Sequence, residues 1–360
     1  MLHSFTIENF RCFQNFTIKP LERINLIAGK NNVGKTALIE GMFLFAGATN
    51  PQLAMSINVF RGIEAFELKP ELLTETPWNS LFLNFDENKM ITLSGIDVNG
   101  KSKKERRLNM KIVRKESELV MKRAPDRVQE GFILSELTGK TLELKYTDES
   151  NKVVKSKLII EGNRIRVDTS PVPVPYNAIF LAARTRINTA EDAQRFSNIR
   201  IVGQQEILLD ILKLIEPKLN QLTIEVSAGV PMIFGDIGID RLLPLPIMGD
   251  GMVRVCSLVL AIANSQNGIV FIDEIENGIH HSIMDKIWTG IAEAARRFNT
   301  QVVATTHSRE CIVSAHSAFN KSEKYDFLLH RLERGNGQIG AKTYDRETLE
   351  AAIETGFEVR

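Results

Sequence analysis

The segment Gly29-Lys30-Asn31-Asn32-Val33-Gly34-Lys35-Thr36 constrains this chain more than any other. It fills the pattern G-x-x-x-x-G-K-[ST] completely. Its flanks agree: apolar Ile24 to Ala28 reads as a strand leading in, and the run from Thr36 to Phe45, with Ala37 at its start, reads as a buried helix leading out. Such a turn makes a phosphate cradle. Glycines let the backbone curl until its N–H groups converge on phosphate oxygens. Lys35 supplies a point charge for the β- and γ-phosphates. The Thr36 hydroxyl is a ligand for Mg²⁺, and the helix aims its positive end at the same anion.

A second segment supplies what the cradle lacks. Gly268 to Glu274 reads GIVFIDE, an apolar strand ending in two carboxylates. Asp273 is placed to hold the Mg²⁺ shell, and Glu274 to orient or deprotonate the attacking water. The next apolar strand, 300–306, ends at His307. A histidine at the carboxyl end of a strand in an open α/β sheet lies at the ligand edge, within reach of a γ-phosphate or its water. His280 and His281 have no cysteine or third ligand nearby and read as a surface or interface pair. A base-reading Asn-Lys-x-Asp of GTPases is missing, since Asn320-Lys321-Ser322-Glu323 ends in Glu. The expected cofactors are therefore ATP and Mg²⁺, with Glu274, His307 and Lys35 in the catalytic roles and Thr36 and Asp273 on the metal.

Around these motifs the chain falls into parts. Residues 1–86 carry the phosphate loop behind short strands. Residues 87–175 alternate apolar and charged residues between turn signals such as Asn99-Gly100 and Gly162-Asn163, which predicts an antiparallel β-rich insertion. SPVPVPY at 170–176 reads as an extended connector, because its prolines remove ladder donors. Residues 176–230 hold the strand AIFLAA and a mostly helical stretch from about Ala190 to Leu222. Residues 231–360 alternate: helix 251–264, strand 269–272, helix 279–298, strand 301–305, helix 308–318. Strands alternating with helices imply a parallel sheet, so the fold class is α/β, a P-loop NTPase.

With 45 Lys+Arg against 44 Asp+Glu in 360 residues, any nucleic-acid surface has to be a local patch. The one candidate is the basic insertion: Lys101, Lys103, Lys104, Arg106, Arg107, Lys111, Arg114, Lys115, Lys122, Arg123 and Arg127. Aromatics are sparse there, which argues against base stacking. Arg184 and Arg186 could reach phosphate or a partner, or could cap the sheet edge. Three unpaired cysteines, Cys12, Cys256 and Cys311, suit a reducing compartment and no zinc site. No run approaches a membrane span, and MLHSFTIENF lacks a signal peptide's basic start. The expectation is a cytoplasmic protein with no membrane partner.

Taken together, GKNNVGKT, IVFIDE and TTHS resemble the ABC-type ATPase heads of the SMC, RecF and OLD group. The opening IENFRCF is similar to the start of those heads, and Arg11 matches an arginine that in the family lies near the nucleotide. The resemblance implies a signature loop between the phosphate loop and the acidic strand end. Gly249-Asp250-Gly251 occupies its place, ahead of an apolar helix. In the family this loop acts in trans, one subunit capping the γ-phosphate bound by the other. Glu276-Asn277-Gly278 matches the loop where the subunits meet. The family's glutamine loop falls at Gln52 or Asn84.

The resemblance is carried by about residues 1–50 and 240–320. The middle has no sustained heptads, so a compact head without a long coiled-coil arm is expected. The implied function is an ATP-switched homodimer, or higher oligomer, that controls a separate effector in DNA transactions or antiphage defence. OLD-like systems point to a Toprim-like nuclease as that effector. The C-terminal RETLEAAIETGFEVR looks like the tail of short ATPases encoded beside a small second protein. The alternatives are a transporter ATPase, which Asp250 in the signature disfavours, a repair ATPase acting directly on DNA, and a scaffold that hydrolyses little.

Overall fold

The computed structural model describes residues 1–61, 76–99, 102–114, 140–161, 164–183, 188–335 and 337–359. The chain opens with strands β1 (Leu2–Phe10), β2 (Phe13–Ile18) and β3 (Ile24–Gly29), then helices α1 (Lys35–Ala46) and α2 (Leu53–Val59). Strands β4 (Ile91–Asn99), β5 (Ser102–Arg114), β6 (Lys140–Thr147), β7 (Val153–Glu161), β8 (Arg164–Thr169) and β9 (Ala178–Leu181) follow. Next come α3 (Thr189–Ile201), α4 (Gln205–Lys213), β10 (Gln221–Ser227), β11 (Val230–Asp236), β12 (Leu243–Pro244) and α5 (Asp250–Asn264). The last part runs β13 (Ile269–Ile272), α6 (Met284–Arg297), β14 (Gln301–Thr305), α7 (Arg309–Asn320), β15 (Phe327–Gly335), β16 (Gln338–Tyr344) and α8 (Arg346–Glu354).

Two large sheets enclose α1. The first is antiparallel, in the order β2-β1-β4-β5-β6-β7-β8. The alternation read at 87–175 is this sheet, and it continues the N-terminal hairpin because β4 pairs with β1, Phe5 opposite Gly95. The second sheet runs β16-β15-β3-β14-β13-β9. Five of its members, β15 to β9 in that order, are parallel, and only β16 is antiparallel to its neighbour.

Beyond its first turn, helix α1 is apolar apart from Glu40, and all its residues from Ala37 to Ala46 are buried. A helix of that kind has to be covered all round. It lies between β1 and β4 on one side and β3, β9, β13 and β14 on the other. The opposite face of the parallel sheet packs on α3 to α7. Ile24, Leu26 and Ala28 of β3 point to that helical layer, while Ile27 points to α1. Period-two alternation of β3 thus serves two cores at once.

Several local expectations are corrected. The helical stretch expected to reach Leu222 ends at Lys213, shortly before Pro217, and residues 221–244 form the strands β10, β11 and β12. Proline cannot continue a helix, since it lacks the N–H and clashes with the preceding turn. The helix expected at 279 begins at Met284, after a 3₁₀ turn His281–Ile283 whose Ser282 N–H is capped by His280. Strands β15 and β16 and helix α8 extend the architecture beyond the elements expected from the sequence. Gly100, Lys101, Lys115, Lys122, Arg123, Arg127, Gly162, Asn163, Arg184 and Arg186 lie outside the described residues.

Candidate active site

Three adjacent parallel strands, β3, β14 and β13, end at the same edge of the sheet, and each delivers one motif there. At the end of β3, Gly29 has φ +140°, and a Cβ on it would come within 2.7 Å of the Leu332 carbonyl oxygen. Gly34 has φ +111°, with Cys12 Sγ 2.9 Å from where a Cβ would stand. Both glycines are thus demanded twice, by left-handed backbone and by packing from β15 and the β1–β2 turn. Helix α1 has no side-chain cap at its N-terminus and no acid in its first turn. Its first amides are left for an anion.

Lys35 folds back over the loop. Its Nζ donates to Gly29 O at 2.6 Å and to Lys30 O at 3.2 Å. Burial pulls the ammonium below its ordinary range, against the opposing field of Glu274, Glu276 and Asp273. The loop residues Lys30 and Asn31 are exposed, Val33 is buried, and Asn32 has φ +60°.

Thr36 and Asp273 meet across the two strands. Thr36 Oγ1 donates to the carboxylate at 3.0 and 3.2 Å. Thr305 Oγ1, from β14, donates to Asp273 Oδ1 at 2.7 Å and accepts the Glu274 N–H at 2.8 Å. Burial pushes the Asp273 carboxyl above the usual carboxylate range, and the hydroxyls of Thr305 and Thr36 pull it back. A hydroxyl and a partly desolvated carboxylate in contact form a hard-oxygen pair of the kind Mg²⁺ takes. The residues present therefore fit that ion.

Beyond Asp273 the chain turns sharply. Glu274 has φ +49°, in the left-handed region. Its carboxylate Oε2 accepts from Asn277 Nδ2 at 2.8 Å. Ile275 N–H donates to Thr305 O at 3.0 Å and ties this turn to β14. His307 sits just past β14, and its backbone N–H donates to Glu276 Oε1 at 2.8 Å. The ring Nδ1 lies 3.1 Å from that same oxygen and 4.0 Å from Glu274 Oε1. Glu276 and Ser308 also line a cavity of about 530 Å³, shared with His280 and His281. The histidine pair is exposed, with ring centroids 4.2 Å apart.

The structure brings Lys35, Thr36, Asp273, Glu274 and His307 to one edge. The signature segment stands apart from them: among the described residues no hydrogen bond or ion pair ties Gly249, Asp250 or Gly251 to the phosphate loop. Gly249 (φ +117°) and Asp250 are exposed at the start of α5, while a Cβ on Gly251 would meet Ile283 Cδ1 at 3.2 Å. Arg11 turns its guanidinium inward, with Nε 2.9 Å from Glu40 and Nη2 donating to Asn58 Oδ1 at 3.3 Å. Gln52 precedes α2, and Asn84 has φ +55°.

Sequence reasoning missed two partners. Arg61 grips the fully buried Glu40 with two hydrogen bonds, 2.7 and 2.9 Å, and lies within electrostatic reach of Asp273. The signal was available: a lone acid in the apolar helix α1 has to find a cation. The second is Glu276, whose hold on His307 nothing local in the sequence announces.

Comparisons with known proteins identify the fold and the family. The chain is similar to the "ATP/GTP phosphatase" of Helicobacter pylori, with 23% identity over 98% of each chain. In three dimensions it is similar to an SMC head solved bound to the C-terminal winged-helix domain of ScpA, with a TM-score of 0.51, 10% identity and coverage of 98% of this chain and 99% of that one. The fold is that of an ABC-type ATPase head. Residues 24–312 match the family described as "AAA domain, putative AbiEii toxin, Type IV TA system", and the chain belongs to that family.

Proposed function

We propose that this chain is an Mg²⁺-dependent ATP hydrolase that closes as a homodimer around ATP and so controls a separate effector protein. The observation that carries the reading is the contact of Thr36 with Asp273, with Lys35, Glu274 and His307 at the same sheet edge. On this reading Lys35 swings from its loop carbonyls to the β- and γ-phosphates, and the amides of residues 30–37 cradle them. Thr36 and Asp273 would hold Mg²⁺, which neutralises charge on the phosphate oxygens. Glu274, oriented by Asn277, takes a proton from the water that attacks the γ-phosphorus as the bond to ADP breaks. His307 contacts the γ-phosphate or that water. The name of the Helicobacter pylori relative supports phosphate release from a nucleoside triphosphate.

The dimer would complete the site. An uncapped helix start with an exposed left-handed glycine, as at Gly249, suits a close approach to an anion held by another copy. Control of an effector, a Toprim-like nuclease by analogy with OLD-like systems, rests on fold-level resemblance, and the family's description names a putative AbiEii toxin of a type IV TA system. Direct nucleic-acid contact through the basic insertion is less favoured. Among its described cations, Arg106 pairs with Asp97 and Glu149, Lys104 with Glu149, Arg107 with Glu105, Lys111 with Glu143 and Arg114 with Glu87. Cations already neutralised by carboxylates release few counterions from a phosphate backbone. Among the described residues no helix is long and apolar enough to cross a membrane.

The test is phosphate release from ATP by the purified chain with Mg²⁺, alone and with the protein encoded beside it. Turnover is expected, and a chain that releases no phosphate from ATP, alone or with that protein, overturns the reading.

A further inference from the structure

We propose that Glu276 is a positioning residue that keeps the proton of neutral His307 on Nδ1 and so leaves Nε2 as the ring nitrogen offered to the reaction. This deepens the proposed ATP hydrolysis and rests on it for its catalytic meaning, but its geometry stands alone. One carboxylate oxygen, Glu276 Oε1, lies 2.8 Å from the backbone nitrogen of His307 and 3.1 Å from ring Nδ1. The Nδ1 approach is a charge contact: at 3.1 Å a carboxylate oxygen repels a ring lone pair and attracts a ring N–H, so the nitrogen beside it is the one favoured to carry hydrogen. In a neutral imidazole the other nitrogen then holds the lone pair.

The clamp is built from both strands. Ile275, fully buried, donates its N–H to Thr305 O, which holds the acidic turn against the end of β14. Glu276 follows directly and reaches over to His307. The ring is half exposed, whereas the Glu276 side chain is only 12% exposed. The restraint therefore comes from the glutamate and not from burial of the ring. Two carboxylates of the same turn take different tasks: Glu274 is held by Asn277, and Glu276 holds His307. A shifted or flipped ring would present Nδ1 or a carbon edge where Nε2 belongs, and small misplacements of this kind lower turnover more than binding.

The experiment reads the ring directly. The ¹⁵N shifts of His307 are recorded in the full chain labelled at histidine, without nucleotide, in mildly alkaline buffer, and assigned by loss of the signal in His307→Gln. The wild type is expected to show Nδ1–H. Glu276→Ala is expected to return the ring to the Nε2–H majority of free histidine, and Glu276→Asp to keep Nδ1–H. In ATP turnover, Glu276→Ala should lower kcat by roughly 10- to 100-fold, the range for a partner that orients a reacting group, with KM for ATP little changed. Glu276→Asp should recover part of that loss. A wild-type ring carrying Nε2–H, or a tautomer unchanged in a folded Glu276→Ala, overturns the proposal. Should Glu276→Ala fail to fold, the wild-type and Glu276→Asp spectra still decide it. The ring spectrum needs no hydrolysis, so a chain that never turns over ATP refutes the proposed function, and the spectrum alone refutes the clamp.

Discussion

The Thr36 hydroxyl lies 3.0 Å from one carboxylate oxygen of Asp273 and 3.2 Å from the other, although 237 residues separate the two in the chain. Both stand where parallel strands end, with β14 between β3 and β13. Thr305 of that middle strand bonds the same carboxylate. The contact therefore follows from strand order, which lays three motif-bearing loops side by side.

Lys35→Ala should abolish ATP binding. In the proposed complex, the ammonium meets the β- and γ-phosphates, while Lys30, the other cation of the loop, is exposed. The fold should persist, because Nζ bonds only two loop carbonyls. Titration with a fluorescent ATP analogue should show at least about a hundredfold weaker binding, the scale expected when a charge-assisted hydrogen bond to phosphate is removed. Near wild-type affinity would show that the site is misplaced.

Glu274→Gln should separate binding from turnover. The amide keeps the size and accepts from Asn277, but it cannot take the proton. ATP should stay bound while single-turnover phosphate release falls by about 10²-fold or more. Asn277→Ala, which frees Glu274 without removing it, should fall between wild type and Glu274→Gln. Equal rates in wild type and Glu274→Gln would pass the base role to another group.

Much of this site was legible because its chemistry forces its spacing. A phosphate cradle needs two glycines, a lysine and a hydroxyl at set intervals, and an acid pair needs an apolar strand to carry it. The less legible parts are pairings between distant positions. Glu40 announces that a cation is needed, but not that Arg61 and Arg11 both answer. Glu276 reads locally as part of a polar turn, and only the pairing of β13 with β14 brings it to His307. The short strands β10 to β12 were hidden because their outward residues, Val226 and Val230 among them, are apolar and exposed, which blurs the alternation.

ATP should hold two copies together in the slow variant. Light scattering of Glu274→Gln should give the mass of a dimer with ATP and of a monomer without it. The interface probe suggested by the structure is Asp250, not Gly251. Asp250 is exposed, whereas a side chain on Gly251 would press on Ile283 of its own chain. Asp250→Trp should therefore suppress the ATP-dependent dimer while leaving ATP binding to the dilute monomer within about threefold, since the phosphate loop of the same chain is intact. A dimer that forms equally well with Trp at 250 would place the contact elsewhere.

Stability should fall in mild acid through His330. This histidine is fully buried on β15, with Nδ1 3.0 Å from the Thr343 hydroxyl and Nε2 3.4 Å from Asn25 Oδ1. Asn25 in turn donates to Glu22 O and its Oδ1 accepts the Glu22 N–H, so Oδ1 faces the ring as an acceptor. The neutral ring suits this setting: Nε2–H donates to Asn25, and Nδ1 accepts from Thr343. A protonated ring would place a second N–H and a charge in the core, and burial accordingly pushes its pKa from 6.5 down to about 3. Above the ordinary histidine range, folded and unfolded chains bind the same number of protons here. As pH falls below it, the unfolded chain takes up a proton that the folded chain refuses, and stability drops until pH nears the folded value. The full loss amounts to about 5 kcal/mol on the scale of 1.36 kcal/mol per unit. His330→Gln cannot titrate and should remove this component. Urea midpoints at pH 7.5 and 4.5 should therefore lie closer together in the variant than in the wild type. An equal fall in both would assign the acid sensitivity to other groups.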